Sequence, residues 1–381
     1  MNVGREGRAV RLDGQPASLT IHRLRMTLRT AHRAAHGTVT DRELILVEWT
    51  SAHGVVGWGE CPALSDAGYV PETSDLAWDS LRRVLGPAAL SGRIDAEASM
   101  AAASLADARL DAAFRTAGMR GTDWVTAQLV EPAQLGDERV ATRAAVPMCQ
   151  VVGIDPNLAT LTIEPGVTMV KAKVTPASID GLRELMDRLA GRVPLAVDAN
   201  GSFGAADQFP AWIDEANLVF IEQPFVPGAE EWAVDLRRRG IRVAWDESVV
   251  SAESLRRLAN LAGNHTDTEH PLSDVISIKP ARAGGVANGC AWAQLATELG
   301  LDWYVGGMLE GGIGRAAALA VASASSLPTD LGPSARYFLD DVCAPIEASS
   351  DGLIVPDAPG WGRVPDPERL AAVTIDQIRL G

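Results

Sequence analysis

The chain has 381 residues, enough for two domains or for one barrel with an added layer, and its 47% hydrophobic and 22% charged residues are ordinary for a globular enzyme. With 34 Lys+Arg against 49 Asp+Glu the formal charge is −15, which argues against nucleic acid or an anionic membrane surface as the main partner. A small anionic substrate stays compatible, because a metal ion can reverse the field inside one pocket. The four cysteines, Cys61, Cys149, Cys290 and Cys343, are dispersed without a C-x-x-C pair, so reduced thiols in a cytoplasmic protein are expected. The N-terminus carries charges and no apolar run, and no signal peptide is expected. The most apolar stretch, Ala316 to Leu327, is 12 residues long and too short to span a bilayer.

In chain order, strand-like runs come first at Ser18–Leu28, Glu43–Trp49 and Val55–Cys61, the last two joined by a turn at Ser51-Ala52-His53-Gly54. An alanine-rich helix is expected over Ala96–Ala117. From about Ala144 short apolar runs alternate with amphipathic stretches. After a first strand near Ala144–Gln150 they fall at Val167–Val174, Val193–Val197, Leu218–Ile221, Ile241–Trp245, Val275–Ile278 and Leu301–Val305. Apolar strands separated by helices mean a parallel sheet buried on both faces, and this many units fit a β/α barrel better than an open sheet. The polar segment Asn264–His270 reads as a surface insertion. The division expected is an α+β domain over residues 1–140, a barrel over 141–335 and a Pro- and Gly-rich tail over 336–381 that packs back on the first domain.

The polar residues at the strand ends carry the function. Lys171 and Lys173 lie on the second barrel strand, Asp198 ends the third, Glu222 the fourth, Asp246 the fifth and Lys279 the sixth. Asp198, Glu222 and Asp246 are spaced 24 residues apart, the length of one βα unit, so neighbouring strands deliver them at one height. A single such group reads as a solvated loop carboxylate; five in register at the C-terminal face of a barrel read as an active site. Three carboxylates with no His or Cys nearby suit a hard divalent ion, Mg²⁺ first, and the six histidines all fall elsewhere. Such an ion would bind a substrate carboxylate and stabilise the enediolate formed when the neighbouring proton leaves. A lysine base needs its pKa brought from about 10.4 towards 7–8, to which desolvation, the ion and a second lysine can each contribute, and Arg282 close to Lys279 could lower that lysine by like-charge repulsion. Lys171 and Lys173, two apart on a strand, face the same way. Gly312-Ile313-Gly314-Arg315-Ala316-Ala317 matches G-x-G-x-x-A, but a dinucleotide fingerprint should open the first βαβ unit of a doubly wound sheet. A turn that gives substrate access to the backbone is the better account. Trp58 and Trp361 are read as packing residues.

Lys171-Ala172-Lys173, Val197-Asp198-Ala199-Asn200, Ile221-Glu222-Gln223-Pro224, Asp246-Glu247-Ser248 and Ile278-Lys279-Pro280 together resemble the enolase superfamily, muconate-lactonising subgroup. Gly57-Trp58-Gly59-Glu60-Cys61 resembles the signature of its capping domain and Pro359-Gly360-Trp361-Gly362 its C-terminal return. The resemblance covers nearly the whole chain. It implies an α/β fold, a modified (β/α)7β TIM-type barrel with an N-terminal α+β capping domain completed by the C-terminal tail. It also implies Asp198, Glu222 and Asp246 as ligands of Mg²⁺, with Mn²⁺ as substitute, and Lys173 and Lys279 as the acid/base pair. Within the subgroup, Gly306-Gly307-Met308-Leu309-Glu310 and Arg282 look most like o-succinylbenzoate synthases and N-acylamino acid racemases. Lys171, Asn200, Arg282, Gly307, Met308 and Glu310 are then expected around the substrate, with contacts from cap loops at Arg29–Gly37 and Leu64–Tyr69. The reaction implied is dehydration of 2-succinyl-6-hydroxy-2,4-cyclohexadiene-1-carboxylate in menaquinone biosynthesis, with racemisation of an N-acylamino acid as the alternative. The partner implied is a small-molecule carboxylate, with a homo-oligomer compatible. A non-catalytic barrel kept as a scaffold is the reading from another class; it would be favoured by a missing ligand or lysine, and none is missing.

Overall fold

A computed structural model of the chain describes residues 2–3, 10–12, 14–34, 37–93, 99–129, 143–153, 161–189, 191–263 and 273–381. The expected insertion Asn264–His270 and the expected boundary at residues 140–141 lie outside the described residues. Apolar alternation in the N-terminal third builds an antiparallel meander of β1 (Ser18–Ala34), β2 (Gly37–Thr50) and β3 (Val56–Cys61). Both faces are covered. Leu19, Ile21, Ile45 and Val47 pack on α1 (Met100–Ala117), while Leu24, Met26, Leu44 and Leu46 pack on Ile313, Phe338 and Cys343. The expected turn is present, with Gly54 donating to the Ser51 carbonyl at 3.0 Å and adopting φ +77°. Helix α1 starts at Met100 because the Ser99 hydroxyl accepts from the Ala102 amide at 3.0 Å, and it ends at left-handed Gly118.

Strand β3 lies directly on α1. A Cβ at Gly57 would sit 2.2 Å from the Ala108 carbonyl oxygen and one at Gly59 would sit 1.9 Å from that of Ser104. Only glycine permits this approach. Trp361 from the C-terminal return seals the other end of α1: its amide donates to Asp111 at 2.6 Å and its ring meets Phe114 edge-on at 5.3 Å.

Seven parallel strands follow in sequential order: β4 (Met148–Gly153), β5 (Val167–Lys173), β6 (Leu195–Asp198), β7 (Ile221–Glu222), β8 (Val243–Trp245), β9 (Val275–Ile278) and β10 (Asp302–Val305). Thr329 occupies the eighth position as a single bridge, its carbonyl accepting from the Cys149 amide at 2.7 Å and its hydroxyl donating to the Val305 carbonyl at 2.6 Å. The barrel interior is filled by a layer with one residue from each strand or its edge: Cys149, Met169, Ala196, Phe220, Ala244, Val275 and Tyr304. The first barrel strand begins later than the expected Ala144. Pro147, which has no amide hydrogen, splits the run, and Ala145–Val146 pairs instead with Gly352–Ile354 in a separate small sheet. The last strand, β11 (Thr374–Leu380), returns to pair antiparallel with β1 and completes the capping sheet. Among the described residues no helix is long and apolar enough to cross a membrane.

Cap and barrel are fastened at α2 (Gly312–Ala322). The buried Glu60 carboxylate of β3 accepts from the amides of Gly311 at 2.7 Å and Gly314 at 2.9 Å, and Asp341 accepts from Gly312 at 3.0 Å. These carboxylates take the helix N-terminal donors that a pyrophosphate would need. The G-x-G-x-x-A run is therefore a domain junction, and of the glycine-rich turn only residues 307–310 face the cavity described below. Burial pushes the Glu60 carboxyl up to about 7 against its two amide donors, with Asp341 and Glu310 adding repulsion. A carboxyl raised in the folded state stabilises the fold when protonated and loses that contribution as pH rises from about 4.5 to about 7. Urea titrations should show the wild type losing on the order of 3 kcal/mol relative to Glu60→Gln across this window. A pH-independent difference between the two would refute the assignment.

Candidate active site

The C-terminal ends of the barrel strands open into a cavity of about 920 Å³. Register sets its polar residues at one level: Lys173 lies opposite Asp198, and Asp198 opposite Glu222. Asp198, Glu222 and Asp246 are all buried. Of the residues expected from the sequence, Lys171, Lys173, Asp198, Asn200, Glu222, Asp246, Lys279, Gly307, Met308 and Glu310 line the cavity. Arg282 does not; it stands behind Asp246, donating to its carboxylate at 2.8 Å and its carbonyl at 2.7 Å. Leu64, Ser65, Asp66, Gly68 and Tyr69 of the cap line it as expected, whereas the side chains of residues 31–39 lie outside the described residues.

The two faces of the site differ. Lys279 is buried and held by Asp246 at 2.7 Å and the Tyr69 hydroxyl at 2.6 Å. Lys173, on the opposite side, is half exposed, 3.3 Å from the Asn200 amide oxygen and 3.7 Å from Asp198. Lys171 is buried at the floor, donating to Glu222 at 2.5 Å, Asp330 at 2.9 Å and the Tyr304 hydroxyl at 3.2 Å. Burial disfavours the Lys279 ammonium and Arg282 adds like-charge repulsion, as the sequence led us to expect. Asp246 and Tyr69 outweigh both and hold Lys279 above the usual lysine range, which keeps it cationic. Burial alone would raise Asp246, but Lys279 and Arg282 hold it well below the usual carboxylate range. Burial pushes Glu222 up to about 8 despite Lys171, and the facing charges of Asp198, Asp246 and Asp330 add to it.

This repulsion bears on the expected ion. Among the described residues no three His, Cys, Asp or Glu side chains are drawn close enough to ligate an ion as they stand; Glu222 is paired with Lys171, and Asp246 with Lys279 and Arg282. The donor chemistry fits nonetheless: three buried carboxylates line one cavity, and hard oxygen donors of this kind suit Mg²⁺.

Three contributors were not read from the sequence. Tyr69 reaches from the cap to Asp246, Lys279 and Arg282. Asp330 anchors Lys171 and accepts from the Gly307 amide at 2.7 Å. Gln223, at φ +38°, accepts from the amides of Asp246 and Ser248 and donates to the Phe225 carbonyl and the Ser248 hydroxyl, so it fixes the end of β8. The one available signal was Gln223 following Glu222 directly at a strand end.

The profile of the enolase C-terminal domain-like family matches residues 157–369, more than half of the chain. The chain belongs to the enolase superfamily. It falls in the muconate-lactonising subgroup and is an enzyme of that family. It is 31% identical over 388 residues to an N-succinylamino acid racemase of an Amycolatopsis species, covering 96% of this chain and 99% of the relative. It is 30% identical over 370 residues to the o-succinylbenzoate synthase of Geobacillus stearothermophilus, covering 90% and 91%. Its fold is that of muconate lactonizing enzyme from Klebsiella pneumoniae, with a TM-score of 0.77, 19% identity and coverage of 95% and 100%.

Lys171 is the cation paired with both Glu222 and Asp330 at this floor. Lys171→Met leaves Glu222 and Asp330 buried without their charge partner, and urea denaturation should show a loss of about 3–5 kcal/mol. An unchanged midpoint would mean that the pair contributes nothing.

Proposed function

We propose that this enzyme is an o-succinylbenzoate synthase, a hydro-lyase that dehydrates 2-succinyl-6-hydroxy-2,4-cyclohexadiene-1-carboxylate. The observation that carries the reading is the asymmetry of the two amines. Lys173 is half exposed to the cavity with only long contacts, while Lys279 is embedded among Asp246, Tyr69 and Arg282. A syn dehydration needs one base and one cation that stays charged; a racemase needs both amines as bases, one for each face. Lys173 Nζ takes the proton α to the carboxylate, and the electron pair left behind forms the ring double bond as the β C–O bond breaks. The same proton passes from Lys173 to the departing hydroxyl and leaves as water. Lys279 stays cationic beside the developing negative charge. Asn200 orients Lys173 through its amide oxygen.

Asp198, Glu222 and Asp246 are the residues that would hold Mg²⁺, or Mn²⁺ in its place, and the ion when bound supplies neutralisation of the substrate carboxylate. Equilibrium dialysis should show one Mg²⁺ per chain, and Asp198→Asn should weaken it at least about tenfold. Binding unaffected by that substitution would remove Asp198 from the set. The reading also implies a place in menaquinone biosynthesis and in the cytoplasm.

Racemisation of N-succinylamino acids is the second reading, favoured by the similarity to the Amycolatopsis racemase over nearly both chains. Steady-state kinetics on both substrates separates the two. We expect kcat/KM for dehydration to exceed that for racemisation, with slow α-deuterium exchange into N-succinylamino acids in deuterated water. Fast exchange from both enantiomers with undetectable dehydration would make the protein a racemase and leave the two-lysine geometry intact.

A further inference from the structure

Arg42, on β2, is a buried cation whose partners set it apart from the other cations of the site. Its side chain is only 4% exposed and lines the cavity on the cap side. Among the described residues none of its hydrogen-bond partners is a carboxylate. Nη1 donates to the carbonyls of Ala63 at 2.7 Å and Glu43 at 3.0 Å, and Nη2 to those of Pro62 and, at 3.2 Å, Met308. Burial lowers its pKa, with the charges of Glu60 and Glu310 only partly opposing.

The partners belong to two different parts of the molecule. Pro62 and Ala63 open the cap segment that leads to Tyr69, the residue touching Asp246 and Lys279. Met308 lies in the turn after β10, whose residues 307–310 line the cavity. One planar guanidinium thus ties roof to wall, a geometry that a lysine with donors on a single nitrogen cannot reproduce. Independently, the Met308 side chain packs in the hydrophobic cluster of the cap with Trp78, Leu81 and Leu105, although its backbone belongs to the barrel.

We propose that Arg42 is the positioning residue that holds the Pro62–Tyr69 segment of the cap against the 307–310 turn, and that it thereby sets the cavity height available to the acyl arm of the substrate. The proposal deepens the synthase reading and rests on it for its kinetic readout. Arg42 touches no reacting atom, so its loss acts on how substrate fits rather than on proton transfer.

The test compares wild type with Arg42→Lys and Arg42→Gln. Steady-state kinetics on the succinyl-cyclohexadiene carboxylate should show KM raised about tenfold in Arg42→Lys with kcat within about threefold, and Mg²⁺ affinity unchanged. Equal loss of kcat and kcat/KM, or unchanged kinetics beside lowered global stability, would overturn the positioning role. Hydrogen exchange supplies an arm that does not depend on turnover. Amides of residues 63–69 and 306–310 should lose protection together in the variants while those of Leu182–Leu189 do not change; loss in one segment alone overturns the proposal. Should neither variant fold, wild-type exchange in graded denaturant decides: the two segments open with one common free energy if Arg42 couples them and with separate ones if it does not. If wild type turns over neither substrate, the synthase reading has failed and the exchange result still judges the coupling.

Discussion

The structure turns on keeping Asp198, Glu222 and Asp246 buried side by side. At the ~4.8 Å spacing of adjacent strands, two unit charges repel by about 3–4 kcal/mol at an effective dielectric of 20. Three such neighbours with little solvent cannot all stay ionised without cations. The barrel supplies these from within: Lys171 from β5 beneath Glu222, and Lys279 and Arg282, beyond the end of β9, around Asp246. Burial and then the like charges around it raise the Glu222 pKa, whereas Asp246, clasped by two cations, is depressed. The two amines near the reacting centre thereby become unequal. Lys279 is spent on charge compensation and Lys173 is left facing the cavity. Under the proposed reaction, the division of labour between them follows from how the carboxylates are balanced.

Much of this was legible in the sequence, because parallel strands leave a strong trace. Five of the barrel strands are short apolar runs with an ionisable group at or just beyond the end, and one βα unit sets the 24-residue spacing of Asp198, Glu222 and Asp246. Residues whose role depends on distant partners left no such trace. Tyr69 is one tyrosine in a loop of ordinary composition, and only the docking of the cap brings it 2.8 Å from Asp246. Asp330 lies 159 residues from Lys171, and nothing in Thr329-Asp330-Leu331 marks it as a counter-ion. The pairing of Lys279 with Asp246 left no trace either. Arg282, three residues on, is visible in the sequence; the direct ion pair with Asp246 is a product of folding.

The glycines show how one local pattern can serve different ends. Gly57 and Gly59 lie within a regular strand, as expected, and their absent side chains let α1 approach its backbone. Gly312 and Gly314 look like a phosphate cradle, yet the donors at that helix start belong to Glu60 and Asp341. A helix N-terminus binds whatever anion reaches it first. Here a carboxylate from the neighbouring domain does, and the same dipole that would hold a nucleotide holds the cap. Pro147 is a third case, where one missing amide hydrogen divides a continuous apolar run between two sheets.

Asn200, Gln223 and Leu309 all adopt positive φ, at +42°, +38° and +56°, just beyond the ends of β6, β7 and β10. Non-glycine residues enter this region at a cost of about 1–3 kcal/mol each, and they persist there only where surroundings over-determine them. At two of the three the restraint is visible. The Asn200 amide donates to Asp198 at 3.1 Å and its side chain to Glu247 at 3.2 Å, while Gln223 is fixed through four hydrogen bonds from its side chain. Both residues directly follow or nearly follow a cavity carboxylate, so the backbone bends where that carboxylate must point inward. Strain of this kind would be removed by relaxation if the ends were loose. Its retention at consecutive strand ends means that the carboxylates are aimed by the barrel itself, before any ligand arrives, and that the cap adds the roof to a floor already set.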